Sequence, residues 1–189
     1  MVRMMLVLLT ILVAAMAAMA GTAGAAVPPA PEPVSRQDWE FLVKAHQGSL
    51  AEIEAGLAVR RKVESEDGKV GRAVRELGEQ LIVDHMRLDR LIRQVADEMG
   101  VKLPDEPSAA QRKQLEEVMA LGGAEFDRAW IDMEIASHRN GVMLVRQQVE
   151  NSSDPRMRKL AFAVEQVVRT HLNMFLHVHE SPAHSPSES

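Results

Sequence analysis

The 189-residue chain contains no cysteine and no tyrosine, and aromatic residues make up only 3% of it: two tryptophans and four phenylalanines. Without cysteine there is no disulfide framework, no thiol nucleophile and no lipobox cysteine for lipid attachment. Without tyrosine the choice of nucleophiles narrows further, and no nucleotide-binding glycine loop, G-x-S-x-G elbow or H-E-x-x-H pair occurs. Basic stretches are missing too. The net charge is −5, and removing an N-terminal leader that holds one cation, Arg3, would make it −6 (−5 − 1). Lys and Arg are scattered among carboxylates, so nucleic acid has no basic stripe to bind and is excluded as a partner class.

What is present begins with an apolar run. Residues 1–26 are almost entirely apolar or small after Arg3 and end in Ala23-Gly24-Ala25-Ala26, the pattern of a secretory signal with an A-x-A type cleavage site. The expected location is therefore the periplasm or the exterior, with no transmembrane segment left after cleavage. The alternative is an uncleaved anchor, because the run is close to the length that spans a bilayer. Residues 27–35 carry four prolines and read as a flexible linker. With 46% hydrophobic residues, the remainder has enough apolar material for one core; the domain is expected over 36–179, with a disordered Ser/Pro/His tail over 180–189.

Between linker and tail the spacing is helical throughout. Ser35 or Asp38 can cap a first helix to about Ser65, with Leu42, Ala45, Ser49, Ile53, Gly56, Val59 and Val63 recurring on one side. A second helix is expected from Lys69 to Met99, burying Val70, Val74, Leu77, Leu81, Leu88, Ile92 and Val95 and ending at Gly100 before Pro104 and Pro107. Ser108-x-x-Gln111 is a capping-box pattern for a short helix to about Leu121. A further helix over 124–150 would bury Trp130, Ile131, Val142, Val145 and Val149. The last, opened by Asp154-Pro155, would bury Leu160, Val164, Val167, Val168, Met174, Phe175 and Val178. Methionines are spread over the helices without clustering, as core filler would be.

The chain also repeats itself. A shift of 86 positions lays Val59–Glu64 on Val145–Glu150, Arg72 on Arg158, Glu79-Gln80 on Glu165-Gln166 and His85 on His171. Glu52 falls on His138, so Glu52/His85 and His138/His171 are equivalent pairs, each 33 positions apart (85 − 52 and 171 − 138). A repeat of that length is a helical hairpin used twice, and the expected fold is an all-α, ferritin-like four-helix bundle of two such hairpins, with the short extra helix in the long connection between them. On 100° per residue, His85, His138 and His171 fall within apolar arcs and Glu52 at the edge of one; the pairs differ in height by roughly 4–5 Å at 1.5 Å per residue. Left unpaired in an apolar core, each such group costs on the order of 2–7 kcal/mol. A divalent transition metal such as zinc, iron or copper would satisfy Glu52, His85, His138 and His171 directly. A hydrogen-bonded network with ordered water is the alternative. Asp84 and Glu134 could orient an imidazole or add an oxygen ligand; otherwise they are surface or hydrogen-bonded carboxylates. His46 has no partner of this kind and is read as a boundary residue, and His177, His179 and His184 near the tail specify little.

Asp38, Phe41 and Ala45, then Glu52-Ile53 and Leu57-Ala58, Asp84-His85, Gly100-Val101-Lys102-Leu103-Pro104, Gly122, Phe126-Asp127, His138 and His171 together resemble DUF4142, over essentially Asp38 to Val178. Trp130 stands where that family more often has Tyr. The resemblance implies a ferritin-like fold and an exported, envelope location, but no reaction. True di-iron ferritin-like proteins carry Glu-x-x-His on two helices, whereas Ile82 and Val168 stand three positions before His85 and His171 here. With His138 in place of a further glutamate, this argues against oxygen-activating di-iron chemistry and for a single metal. The functional expectation is thus an exported bundle binding one transition metal, with any enzymatic activity limited to metal-dependent redox or hydrolytic work. The competing expectation is an envelope scaffold or stress-related binding protein whose buried polar layer is structural. An envelope partner or a homo-oligomer is compatible with either.

Overall fold

The computed structural model describes residues 33–65 and 69–181. The expectations for the leader, for most of the linker and for the tail with His184 lie outside these residues. Five helices follow in order: α1 (Arg36–Glu64), α2 (Arg72–Glu98), α3 (Ala109–Met119), α4 (Gly123–Asn151) and α5 (Pro155–His179), and no strand occurs among the described residues. The fold is an all-helical bundle in which α1 packs most extensively along α2 and α4 along α5; α2 meets α5, α1 meets α4, and α3 lies against α1 and α4.

Local chemistry sets the helix ends. The Ser35 side chain accepts from the Asp38 backbone N–H at 3.0 Å and opens α1. α3 has a reciprocal capping box between Ser108 and Gln111, and Asp154 caps α5 with Pro155 at its first position. α2 stops at Gly100, whose φ of 67° suits a residue without Cβ, and the following Val101 N–H donates to Ala96 O at 2.8 Å. The start of α2 differs from the sequence expectation. Lys69 and Val70 stay outside it because Asp127 on α4 accepts the Gly71 N–H at 2.8 Å and holds the chain extended there. A Cβ on Gly71 would lie 2.7 Å from the same carboxylate oxygen.

All seven apolar residues expected to be buried from the second helix are buried. On the other helices Ile53, Val142, Val167, Met174 and Val178 are only half-buried, and Val63 and Val149 are exposed, each in the final turn of its helix. Gln148 is buried in place of its neighbour, its amide donating to Asp38. His46 is also corrected, since it is 1% exposed rather than a boundary residue. One ring nitrogen meets Asp89 Oδ1 and the other Pro104 O at 2.8 Å, which ties the connection after α2 back onto α1.

The core is in two parts. Phe41, Leu42, Leu88, Ile92, Met157 and Leu160 belong to one apolar cluster. Val74, Leu77, Leu81, Phe126, Trp130 and Phe175 belong to the other. His85 follows Leu81 and precedes Leu88 on α2, and His171 follows Val168 and precedes Phe175 on α5, so the polar residues sit where one cluster gives way to the other. Each half supplies hydrophobic stabilisation, and the layer between them must be satisfied by other means.

Candidate metal centre

Four helices each contribute a buried member to this layer: Glu52 from α1, His85 from α2, Glu134 and His138 from α4, and His171 from α5. The ligand atoms of His85, His138 and His171 lie within 4.8 Å of one another. Their ring centroids are 5.8 Å apart for His85 and His138, 5.2 Å for His85 and His171, and 5.4 Å for His138 and His171. Glu52 and Glu134 form a second group with His138 at the same spacing. The four expected ligands thus share one layer, but Glu52 groups with Glu134 across His138 rather than with His85 and His171.

Hydrogen bonds fix the ring tautomers. The backbone carbonyl of Glu134 can only accept, so His138 donates from Nδ1 at 2.9 Å and Nε2 carries the lone pair. Likewise Asp84 Oδ2 accepts from His171 Nε2 at 3.1 Å, which leaves Nδ1 of that ring as the free donor atom. Both nitrogens of His85, Nε2 of His138 and Nδ1 of His171 are buried with no partner. Three imidazoles therefore present lone pairs to a common space.

Charge in the layer is arranged around that group. Burial pushes the His85 imidazole down to about 3, with the nearby His138 and His171 adding to the fall and Glu52 opposing it. Burial also lowers His171, against the pull of Asp84. Both rings are neutral near pH 7, the form that ligates metals. Asp84 itself, half-buried, is held below the usual carboxylate range: partial burial works against this, but hydrogen bonds from Gln80 and His171 prevail. Asp84 thus holds the His171 ring by a hydrogen bond.

Glu134 departs from its surface alternative, since it is 1% exposed. Burial and the charge of Glu52 raise its carboxyl well above the ordinary range. Burial would raise Glu52 also, but His138, Glu134, His85 and the Ser137 hydroxyl, which donates to Oε1 at 2.5 Å, hold it low. The pair accordingly holds one proton, on Glu134, and one negative charge, on Glu52. Ser137 was not foreseen in the sequence. Glu134 was noted there for its place one turn before His138, the spacing that puts it on the same face.

A cavity of about 460 Å3 reaches the layer from one side, touching Glu52, His85 and His138. Its wall includes Gly48, where a Cβ would meet nothing within 4 Å, and its rim carries Lys44, Asn140 and Gln147. On another side a small cavity of about 30 Å3 adjoins Glu52, Glu134 and Ser137 beneath Gln111 and Gln114 of α3. Trp130 closes the apolar half nearby, its indole N–H donating to Ala55 O at 3.3 Å and its ring edge-on to Phe175, which also packs 5.0 Å from His138.

Among solved structures, a DUF305 fragment from Deinococcus radiodurans is similar, with a TM-score of 0.64 at 15% sequence identity over 77% of this chain and 97% of that one. At that identity the likeness speaks to the fold alone. No curated protein matches the chain. The family model described as a domain of unknown function, DUF4142, matches residues 23–178, the stretch that holds every residue of the polar layer, and the chain therefore belongs to the DUF4142 family.

Proposed function

We propose that this is an exported helical-bundle protein that holds a transition-metal ion between His85, His138 and His171. The observation that carries the reading is the set of four buried ring nitrogens without partners on three imidazoles whose ligand atoms lie within 4.8 Å. Buried nitrogens left without partners are costly, and a metal removes the cost while cross-linking α2, α4 and α5. The donor set fits zinc, iron or copper, which favour imidazole. Bound there, such an ion would supply Lewis-acid chemistry or, for iron and copper, electron transfer. Asp84 orients His171, the Glu134 carbonyl orients His138, and the Glu52 carboxylate balances positive charge. The larger cavity gives a small molecule a route to His85 and His138.

The ferritin-like arrangement belongs to the same proposal. The 86-residue repeat, the pairing of α1 with α2 and of α4 with α5, and the gathering of Glu52, His85, His138 and His171 in one layer all support two copies of one hairpin. Export rests on the apolar leader. No described helix is long and apolar enough to cross a membrane. Cell fractionation of the full chain is expected to yield a shortened form in the periplasm; full-length protein in the membrane fraction would favour the anchor instead.

A scaffold reading draws on the bonds that the layer makes between helices, Ser137 to Glu52 and His171 to Asp84, which could set helix register without a metal. The two readings part on metal content. Purified mature protein, dialysed against zinc, iron and copper salts and then buffer, should retain metal by elemental analysis, and His85→Ala with His171→Ala should remove one equivalent. Equal, negligible retention by both proteins would leave the scaffold reading.

A further inference from the structure

We infer that the layer carries a second cation site, built by the carboxylates of Glu52 and Glu134 beside His138. It deepens the reading above only through His138, the residue common to both groups, and otherwise stands on the carboxylates. His138 faces the two groups with opposite sides of its ring. Its Nε2 is the atom free for His85 and His171, whereas its Nδ1–H, held by the Glu134 carbonyl, lies 3.7 Å from Glu134 Oε2 and 4.0 Å from Glu52 Oε1 and so borders the carboxylates without ligating between them.

Two carboxyl groups side by side in a dry core are a costly arrangement, and this pair is not fully compensated. Apart from the one proton that the two acids hold between them, Oε2 of Glu52 and Oε2 of Glu134 are buried without a partner. The donor atoms of Glu52, Glu134 and His138 lie within 4.8 Å of one another. Two oxygens bound to one cation at about 2.0–2.2 Å stand at most about 4.4 Å apart, so closure needs side-chain movements of only tenths of an ångström. Space is available as well. The cavity of about 30 Å3 that adjoins both carboxylates and Ser137 is the size of one ion or one water, and α3 covers it with Gln111, Gln114 and Leu115.

The repeat does not call for this pair. The shift of 86 positions lays Gly48 on Glu134, so the second acid is present on α4 alone, while the corresponding place on α1 opens into the larger cavity. With two carboxylates as its ligands the second site takes a borderline-to-hard divalent cation such as zinc, manganese or iron(II) rather than a soft monovalent copper ion. Two cations, one on the imidazoles and one between the carboxylates, would make the layer a dinuclear centre with unlike halves.

Zinc titration followed by native mass spectrometry tests this. Mature wild-type protein is expected to take up two zinc ions, E52Q/E134Q one, and H85A/H171A one. Glutamine keeps the shape of both side chains, and helical circular dichroism with a cooperative melt verifies that each variant is folded; E134Q alone, the smaller change, should also stop at one. A wild type that never exceeds one zinc, or an E52Q/E134Q protein that still takes two, overturns the second site. If H85A/H171A holds as much zinc as wild type while E52Q/E134Q loses an ion, the carboxylate site stands and the three-histidine reading falls.

Discussion

His171 illustrates how single side chains prepare this layer. Its Nε2–H is committed to Asp84 at 3.1 Å, so the remaining nitrogen can point only inward. Replacing Asp84 by Ala should leave the fold intact, since this carboxylate is part-exposed, yet weaken zinc binding about 10–100-fold in a competition titration with a chromophoric chelator. Unchanged affinity would mean that Asp84 does not orient the ring. His85 carries a second prediction. Its imidazole titrates near 6.5 when unfolded and at about 3 when folded, so the unfolded chain binds more protons between those values. Stability of the chelator-treated protein should be full above about pH 6.5 and fall as the pH drops toward 3, approaching about 1.4 kcal/mol per pH unit for this residue alone. Urea midpoints measured across that range should fall less steeply in His85→Gln than in wild type. The inward facing of the three histidines is readable from helical spacing, because each has apolar neighbours one turn away. Glu52 is harder to place, lying at the edge of its arc, and its pairing with Glu134 depends on how α1 meets α4. His46 is a further case: it lies between Leu42 and Ser49 on the buried side of α1, a local signal, but its partners Asp89 and Pro104 are distant in sequence.

At the scale of the elements, caps and breakers are legible because they act over a few residues: Ser35, Ser108 with Gln111, Asp154-Pro155 and Gly100 all stand where local chemistry requires. Features imposed by a neighbouring helix are not. Val63 and Val149 continue the apolar spacing of α1 and α4, but both fall in the last turn and stay exposed. The Asp127 contact that delays the start of α2 crosses the bundle and leaves no mark in the local sequence. Close approach of α1 and α2 is another such feature. A Cβ on Gly56 would stand 2.5 Å from the Gly78 carbonyl oxygen and 2.7 Å from Ile82 Cγ1. Gly56→Ala should therefore lower stability by about 1–3 kcal/mol in chemical denaturation despite its better helix propensity. Gly48 makes the opposite case, since a side chain there enters open space. Gly48→Leu should keep the fold and the metal while slowing or blocking imidazole binding to the cobalt-loaded protein, read from its visible spectrum. Unaltered imidazole binding would show that the larger cavity is not the route.

For the whole molecule, the arrangement is two apolar halves joined through a polar layer, so a perturbation in one half need not reach the proposed metal site. The buried contact of His46 with Asp89, which Arg93 also meets at 2.6 Å, lies among residues of the first half. Asp89→Ala leaves a buried nitrogen of His46 without its acceptor, and a cost of about 1–3 kcal/mol is expected. Metal content should remain that of wild type. A loss of metal in step with stability would show that the layer is not independent of its surroundings. The most direct test of the three-histidine centre is X-ray absorption at the zinc edge on protein loaded with one equivalent. The account predicts imidazole scattering from the bound ion, with nitrogen ligands at about 2.0–2.1 Å. A shell of oxygen alone, or zinc that washes out on dialysis, would contradict it.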